Sequence, residues 1–365
     1  VTGPANQVFE VATRLQDRGL ETTVITTTRN SAGADKCAQY NGVPVIRCPT
    51  MGSFMQYDFT PKAYNALSKI DPDIIHSHSY RNFLSDVSYL YAWKNGIPFV
   101  LHNHGSFLQF DRILETGKWP YRLYDFLTEK RVGKDADAVF VSTDQERQQA
   151  MEFGIPEDNI FVLPVGKDPS KFSSQPKEQP KDEFRLLFVG RLAPDRNVEQ
   201  AITALQYLDD EVHLRVVGGE EIRSSASGPN YIKSLKELTE EFAVQDRVEF
   251  VGPKYDDELV TEYRSAHAFI YTSYSENFGQ TILEAAAASL PIISTPVGVA
   301  PDVIQEGENG YIVDFDSPKE TAKSIEKLAE GNLSQMSEKS RSIVENRYVW
   351  DEIVDQYVEI YQKLV

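Results

Sequence analysis

An α/β chain of two doubly wound, parallel-sheet domains is what the sequence predicts, and three observations carry the prediction. At 365 residues the chain is long enough for two domains, each with its own core. β-rich apolar runs alternate with stretches of helical periodicity through both halves. Between the two series, residues 173–182 are rich in Pro, Lys, Gln and Ser, the composition of a solvated linker. The expected division is a first domain at 1–168, a second at 169–348 and a terminal helix at 349–365.

In order, Val1-Thr2-Gly3-Pro4 runs straight into a helical pattern of Val8, Val11, Ala12 and Leu15 that ends at Arg18-Gly19. No strand precedes it. The β-branched run 21–27 reads as a strand, and further strands are expected at 43–47, 74–78, 99–104 and 138–142. The second series has strands at 184–189, 213–217 and 247–251, with helices at 198–208 and 231–242. A strand at 268–271, a polar turn, an Ala-rich helix and a strand at 291–295 then make a βαβ unit. Residues 310–313 supply another strand and 318–328 a charged amphipathic helix. The tail sets Ile353, Val354, Tyr357, Ile360 and Tyr361 at helical spacing.

Bulk properties narrow the function. The formal net charge of −18 argues against nucleic acid, whose recognition needs clustered Lys and Arg. It suits an acidic cytoplasmic protein or one adapted to salt. The apolar runs are too short to cross a bilayer. Cys37 and Cys48 are the only cysteines, too few for a disulfide scaffold, and read as two reduced thiols.

The chemistry concentrates in Ser275-Glu276-Asn277-Phe278-Gly279-Gln280-Thr281, which leads into the helix carrying Glu284. The turn of a βαβ unit lies at the carboxyl edge of a parallel sheet, where ligands of open α/β folds bind. Gly279 lets backbone come close, and N–H groups of the first helical turn favour an anion. Two carboxylates beside an anion site are compatible if the ligand is a nucleotide sugar. Carboxylates accept hydrogen bonds from ribose or hexose hydroxyls, while cations elsewhere hold the diphosphate.

This stretch resembles the E-x7-E signature of the retaining family 4 glycosyltransferases, whose usual form is a Glu-Gly-Phe-Gly turn before a Glu-Ala-rich helix; Asn277 stands at the second glycine. Gly190-Arg191-Leu192-Ala193-Pro194-Asp195-Arg196 is similar to the family's Gly-Arg-Leu turn, in which an Arg and a Lys five residues later clamp the diphosphate. Arg191 matches, Arg196 takes the Lys position and Asn197 the following glycine. Val165-Gly166-Lys167-Asp168 resembles the family's exit from the first domain, with Val165 in place of an Asn. The resemblance implies the GT-B fold, with the final helix crossing back to the first domain. It also implies that Gly3 is the last glycine of a phosphate-approaching loop whose strand precedes Val1; a signal peptide on such a segment stays open.

His76/His78 and His102/His104 are two His-x-His pairs at strand ends, a spacing that zinc could use. No Cys or carboxylate constellation accompanies them. His102-Asn103-His104-Gly105 resembles the family's Thr-x-His-Gly turn, which implies that His104 contacts donor sugar or acceptor, with His78 as a second acceptor-side residue and His76 structural. His213 and His267 adjoin apolar runs and read as fold residues. The triplets Asp71/Asp73, Asp135/Asp137 and Asp314/Asp316 read as turns and caps, and Val216-Val217-Gly218-Gly219 is too short for a dinucleotide fingerprint. The aromatic and basic stretch 107–131 reads as a helix packed in the first domain, with a membrane-resting face as the alternative.

The resemblance implies a retaining hexosyltransferase-like enzyme that moves sugar from a nucleoside-diphosphate donor to a glycan or lipid-linked acceptor. Arg191 and Arg196 are expected to stabilise the diphosphate and Glu284 to hold ribose. Glu276, Asn277, Phe278, Gly279, Gln280 and Thr281 are expected to surround the sugar. No metal, cofactor or nucleic acid is expected, and the location is expected to be cytoplasmic or peripheral at the inner membrane face. A nucleotide-sugar epimerase and a non-catalytic sugar-nucleotide-binding subunit are the rivals, and the oligomeric state is open.

Overall fold

A computed structural model of the chain describes residues 3–29, 37–54, 57–105, 119–128, 130–172, 183–220 and 230–365. The chain forms two compact units, Val1–Val165 with Trp350–Val365, and Gly166–Val349. The expected linker at 173–182 lies outside the described residues, as does all of 107–118.

In the first unit, β1 (Val24–Thr27), β2 (Cys37–Tyr40) and β3 (Val43–Cys48) form a sheet in the order β1-β3-β2. β1 runs parallel to β3, and β2 is antiparallel to it. β4 (Gly52–Phe54) and β5 (Tyr57–Phe59) make an antiparallel pair. A parallel sheet then takes β6 (Ile75–His78), β7 (Phe99–His102), β8 (Ala138–Val141) and β9 (Ile160–Val162) in sequence order. β7 and β8 are buried at every position, as parallel strands covered on both faces must be. The register sets His78 beside His102.

Neither β2 nor the β4–β5 pair follows from strand–helix alternation. Asn41 and Gly42 at φ 48° and 83° form the two-residue link between β2 and β3, a conformation that favours these residue types. Helix Gly3–Asp17 and helix Trp350–Leu364 belong to this unit, and Arg18 ties them by donating to Asp355 Oδ1 at 2.6 Å and to the Asp351 carbonyl at 2.8 Å. Of the stretch 107–131, helix Trp119–Leu127 is described. Asp125 is buried in an ion pair with Arg81 at 2.8 Å, whereas Leu123, Phe126 and Leu127 are exposed. No helix among the described residues is long and apolar enough to cross a membrane.

The second unit holds one parallel sheet of β10 (Phe184–Val189), β11 (Val212–Val217), β12 (Val248–Gly252), β13 (Ala268–Tyr271), β14 (Ile292–Ser294) and β15 (Gly310–Ile312). Its order is β12-β11-β10-β13-β14-β15, so the winding reverses between β10 and β13. At such a switch point the connections leaving two neighbouring strands part to opposite sides, and a crevice opens at their carboxyl ends. Gly218, just past β11, sits where an added Cβ would lie 1.8 Å from the Gly190 carbonyl oxygen, so glycine allows the loops there to touch.

Two expectations shift. The helix expected over 198–208 is α-helical at Val198–Ala204 and tightens into a 3₁₀ turn at Leu205–Tyr207. Residues 166–168, expected in the first domain, join the second: Lys167 N donates to the Tyr348 carbonyl at 2.7 Å and forms a parallel bridge with Val349. Helix Leu333–Arg347 is an addition to the expected elements.

Candidate active site

Both chain segments that leave the switch point of the second unit carry charged side chains. After β10, Gly190-Arg191 leads to the 3₁₀ turn Pro194–Arg196, and Arg191 Nη2 donates to Asp195 Oδ2 at 3.1 Å. Asn197 closes that turn at φ 44°, a left-handed conformation that Asn tolerates better than most residues. This is the physical reason that it can stand where the resembled turn has glycine.

After β13, Ser273 to Gly279 forms the facing loop. Arg196 Nη1 donates to the Ser275 carbonyl at 2.8 Å and to Ser273 Oγ at 3.1 Å, and pairs with Glu276 Oε2 at 2.9 Å. Tyr271 OH donates to the same Glu276 oxygen at 2.7 Å, and Asn277 N donates to Oε1 at 3.1 Å. Burial and the adjacent Glu276 carboxylate push the Tyr271 phenol well up, which keeps it a proton donor. Gly279, at φ 83°, precedes helix Gln280–Ala287, whose first-turn residues Gln280 and Thr281 have no intrahelical acceptors for their N–H groups. Phe278 is buried, and its carbonyl accepts from Val299 N at 2.7 Å.

Glu284 lies one helical turn beyond Gln280. Lys167 Nζ reaches Glu284 Oε1 at 2.7 Å and Gln280 Oε1 at 3.1 Å, and Tyr263 OH donates to Glu284 Oε2 at 3.0 Å. The structure thus gathers Arg191, Arg196, Glu276, Gln280 and Glu284 around one sheet edge. Lys167, Tyr263 and Tyr271 are members that sequence reasoning missed. Their contacts span long or unpatterned separations, and only the strand-end position of Tyr271 gave a hint.

Gly3, His78 and His104 belong to the first unit. Gly3 is the exposed first residue of helix Gly3–Asp17. His78 Nδ1 and His104 Nε2 share a hydrogen bond at 2.8 Å, their rings stacked at 5.1 Å. His102 stacks on His104 at 4.4 Å and His76 on His78 at 4.4 Å. Burial lowers every one of these imidazoles, His104 to about 4 and His76 to about 3, so they are neutral at pH 7. Tyr361 OH bonds His76 Nδ1 at 2.6 Å and Tyr357 OH bonds His102 Nδ1 at 3.3 Å. Ring nitrogens of His76, His78 and His102 lie within 4.8 Å of one another, the arrangement among the described residues that could accept a borderline transition-metal ion. His267 Nδ1 accepts from Arg185 N at 2.9 Å, the fold role expected of it.

The His104-Gly105 turn rests on a further residue the sequence reading passed over. Glu146 accepts from Gly105 N, from Asn103 Nδ2 at 3.1 Å and from Ser142 N at 2.6 Å. Burial pushes its carboxyl up to about 7 against the opposing pull of those donors. Its signal was available: Thr143 caps helix Asp144–Phe153 and Glu146 sits three residues on, the spacing of a capping box.

Residues 1–171 match the family model described as Glycosyltransferase Family 4, and residues 170–350 match that of Glycosyl transferases group 1. The chain belongs to the family 4 glycosyltransferases. This glycosyltransferase is 26% identical over 389 residues to the D-inositol 3-phosphate glycosyltransferase of Thermomonospora curvata, a match covering 97% of this chain and 89% of that protein. The Mycolicibacterium smegmatis protein of the same name is 26% identical over 377 residues, covering 98% and 85%. Sucrose-phosphate synthase from Thermosynechococcus elongatus superposes with a TM-score of 0.78 at 21% identity, covering 100% of this chain and 94% of that one. Anabaena HepE in complex with UDP-glucose gives 0.74 at 17% identity, covering 100% and 96%. The glycosyltransferase has the GT-B architecture of two Rossmann-like domains, and the epimerase and non-catalytic alternatives find no support among these similarities.

Proposed function

We propose that the enzyme takes a hexose-type sugar from a nucleoside diphosphate and transfers it, with retention at the anomeric carbon, to a hydroxyl of a glycan or lipid-linked acceptor. One observation carries the reading: at the β10/β13 switch point Arg196, from the turn after β10, pairs with Glu276, from the loop after β13, at 2.9 Å. Arg191 and Arg196 neutralise the charge that grows on the departing diphosphate, a role that cations fixed in place perform at little reorganisation cost. They take the place of a metal ion in this reading. Glu284 receives the ribose hydroxyls. Glu276 and the N–H groups of Phe278, Gly279 and Gln280 orient the sugar, with Asn277 and Thr281 flanking.

In the step itself the bond between the anomeric carbon and the β-phosphate oxygen breaks, and a bond from the acceptor oxygen forms on the same face. The acceptor proton passes to the leaving phosphate oxygen, so no protein nucleophile is assigned. His104, its tautomer tied to His78, contacts the acceptor side. The exposed Leu123, Phe126 and Leu127 support a lipid-linked acceptor and a cytoplasmic enzyme that rests at the inner membrane face.

Incubation with a panel of nucleotide sugars, with and without acceptors, tests the reading. Donor consumption that requires an acceptor is the expected result, with Arg191→Ala and Glu276→Ala each lowering kcat by about 10²-fold. Isomerised donor without acceptor, or full activity in both variants, would overturn it.

A further inference from the structure

We infer that Lys167 is a positioning residue for the donor's ribose and acts through Glu284; this rests on the donor-site reading above. Its backbone is anchored by the bond to the Tyr348 carbonyl and the bridge to Val349, so the side chain projects from a fixed point. The Lys167 side chain is 13% exposed, and its ammonium group meets Glu284 Oε1 at 2.7 Å and Gln280 Oε1 at 3.1 Å. On the other carboxylate oxygen sits the hydroxyl of Tyr263, a residue buried completely, at 3.0 Å.

Each carboxylate oxygen offers two lone-pair directions, and here one direction on each is taken. A Glu side chain has three rotatable torsions, and restraint of both oxygens removes the freedom that would let this one swing. The remaining lone pairs present a fixed, two-point acceptor that matches the two donors of a vicinal diol. Ribose carries such a diol, and 2′-deoxyribose does not. Lys167 also supplies a positive charge beside a part-buried carboxylate that would otherwise stand there uncompensated. Replacement by an apolar side chain removes the charge and the restraint on Oε1, and leaves Tyr263 alone on Oε2.

The measurement is the affinity of the whole protein for UDP, GDP and ADP against their 2′-deoxy counterparts, by calorimetry, with donor KM and kcat from turnover. The native enzyme is expected to favour the ribose form of its preferred nucleotide by about tenfold, the scale of one charge-assisted hydrogen bond. In Lys167→Met this preference shrinks towards parity, donor KM rises, kcat holds within about threefold, and Lys167→Arg restores most of the preference. An unchanged preference in Lys167→Met, with Glu284→Ala abolishing it, would overturn the role of Lys167 while leaving the donor site standing. Equal weakening of ribose and deoxyribose forms would overturn it too, assigning Lys167 to the phosphates or to the fold. If the native enzyme shows no preference and Glu284→Ala changes nothing, the ribose assignment fails before Lys167 is reached.

Discussion

Two buried phenols decide how the acids of the proposed donor site present themselves. Tyr271 stacks on Phe188 at 5.6 Å and donates to Glu276, while Tyr263 donates to Glu284. Tyr271→Phe keeps the ring and its packing and removes only the donor. Expected are a loss of about 1 kcal/mol or less in stability and a roughly tenfold fall in kcat/KM, because Glu276 retains Arg196 and Asn277 N but loses its lateral restraint. Steady-state kinetics beside a thermal melt check this, and an unaltered kcat/KM would remove Tyr271 from the site. At this scale the sequence was legible where a residue sits in a motif and silent where it acts across one. Arg196 and Glu276 stood out from local pattern. Lys167 pairs with Glu284 across 117 positions, and no local spacing encodes that separation.

Among the elements, helix Trp350–Leu364 binds the first unit most tightly to chemistry of its own. Trp350, Ile353, Val354, Tyr357, Ile360 and Tyr361 are buried, and its two inward tyrosines reach His102 and His76. At about 1.5–3 kcal/mol for each fully buried large side chain, the helix contributes on the order of 10 kcal/mol, comparable to the whole stability of a domain. Truncation after Val349 is therefore expected to unfold the first unit and leave 166–349 as a protease-resistant fragment, with resistance of both halves the contrary result. The helix was readable because its apolar stripe follows the helical period. Helix Leu333–Arg347 was not, since its inward positions are Met336, Ser340, Ile343 and Val344, a stripe thinned by a serine. The antiparallel β2 was readable in principle. Asn41-Gly42 between short apolar runs is a strong hairpin signal, set within a chain whose dominant pattern is strand–helix alternation. The β4–β5 pair gave less to read, with strands of three residues and a mostly exposed surface.

Across the whole molecule the two units carry different probes and different titrating groups. Trp93, Trp119 and Trp350, the chain's three tryptophans, all belong to the first unit, so tryptophan fluorescence follows that unit while far-ultraviolet dichroism follows both. The four stacked histidines belong there as well. Their folded values lie below the ordinary imidazole value of 6.5, so their neutrality stabilises the fold fully above that pH and loses its contribution as pH falls towards about 4. Glu146 acts in the opposite sense: raised to about 7, its contribution is complete below 4.5 and disappears as pH rises through 7. Four groups outweigh one, even after mutual coupling reduces the histidine sum, and the first unit should lose on the order of 2 kcal/mol between pH 7 and pH 5.5. In the second unit His267 is lowered in the same direction, and it stands against that whole unit alone among the shifted imidazoles of the described residues. Urea unfolding followed by both probes is thus expected to give a fluorescence midpoint that drops on acidification and a late dichroism phase that moves much less. Coincident transitions at both pH values, or a fluorescence midpoint indifferent to pH, would mean that the histidine stack does not set the acid limit of the first unit. Glu146→Gln sharpens the test, because removing the opposing titration should steepen the acid loss rather than relieve it.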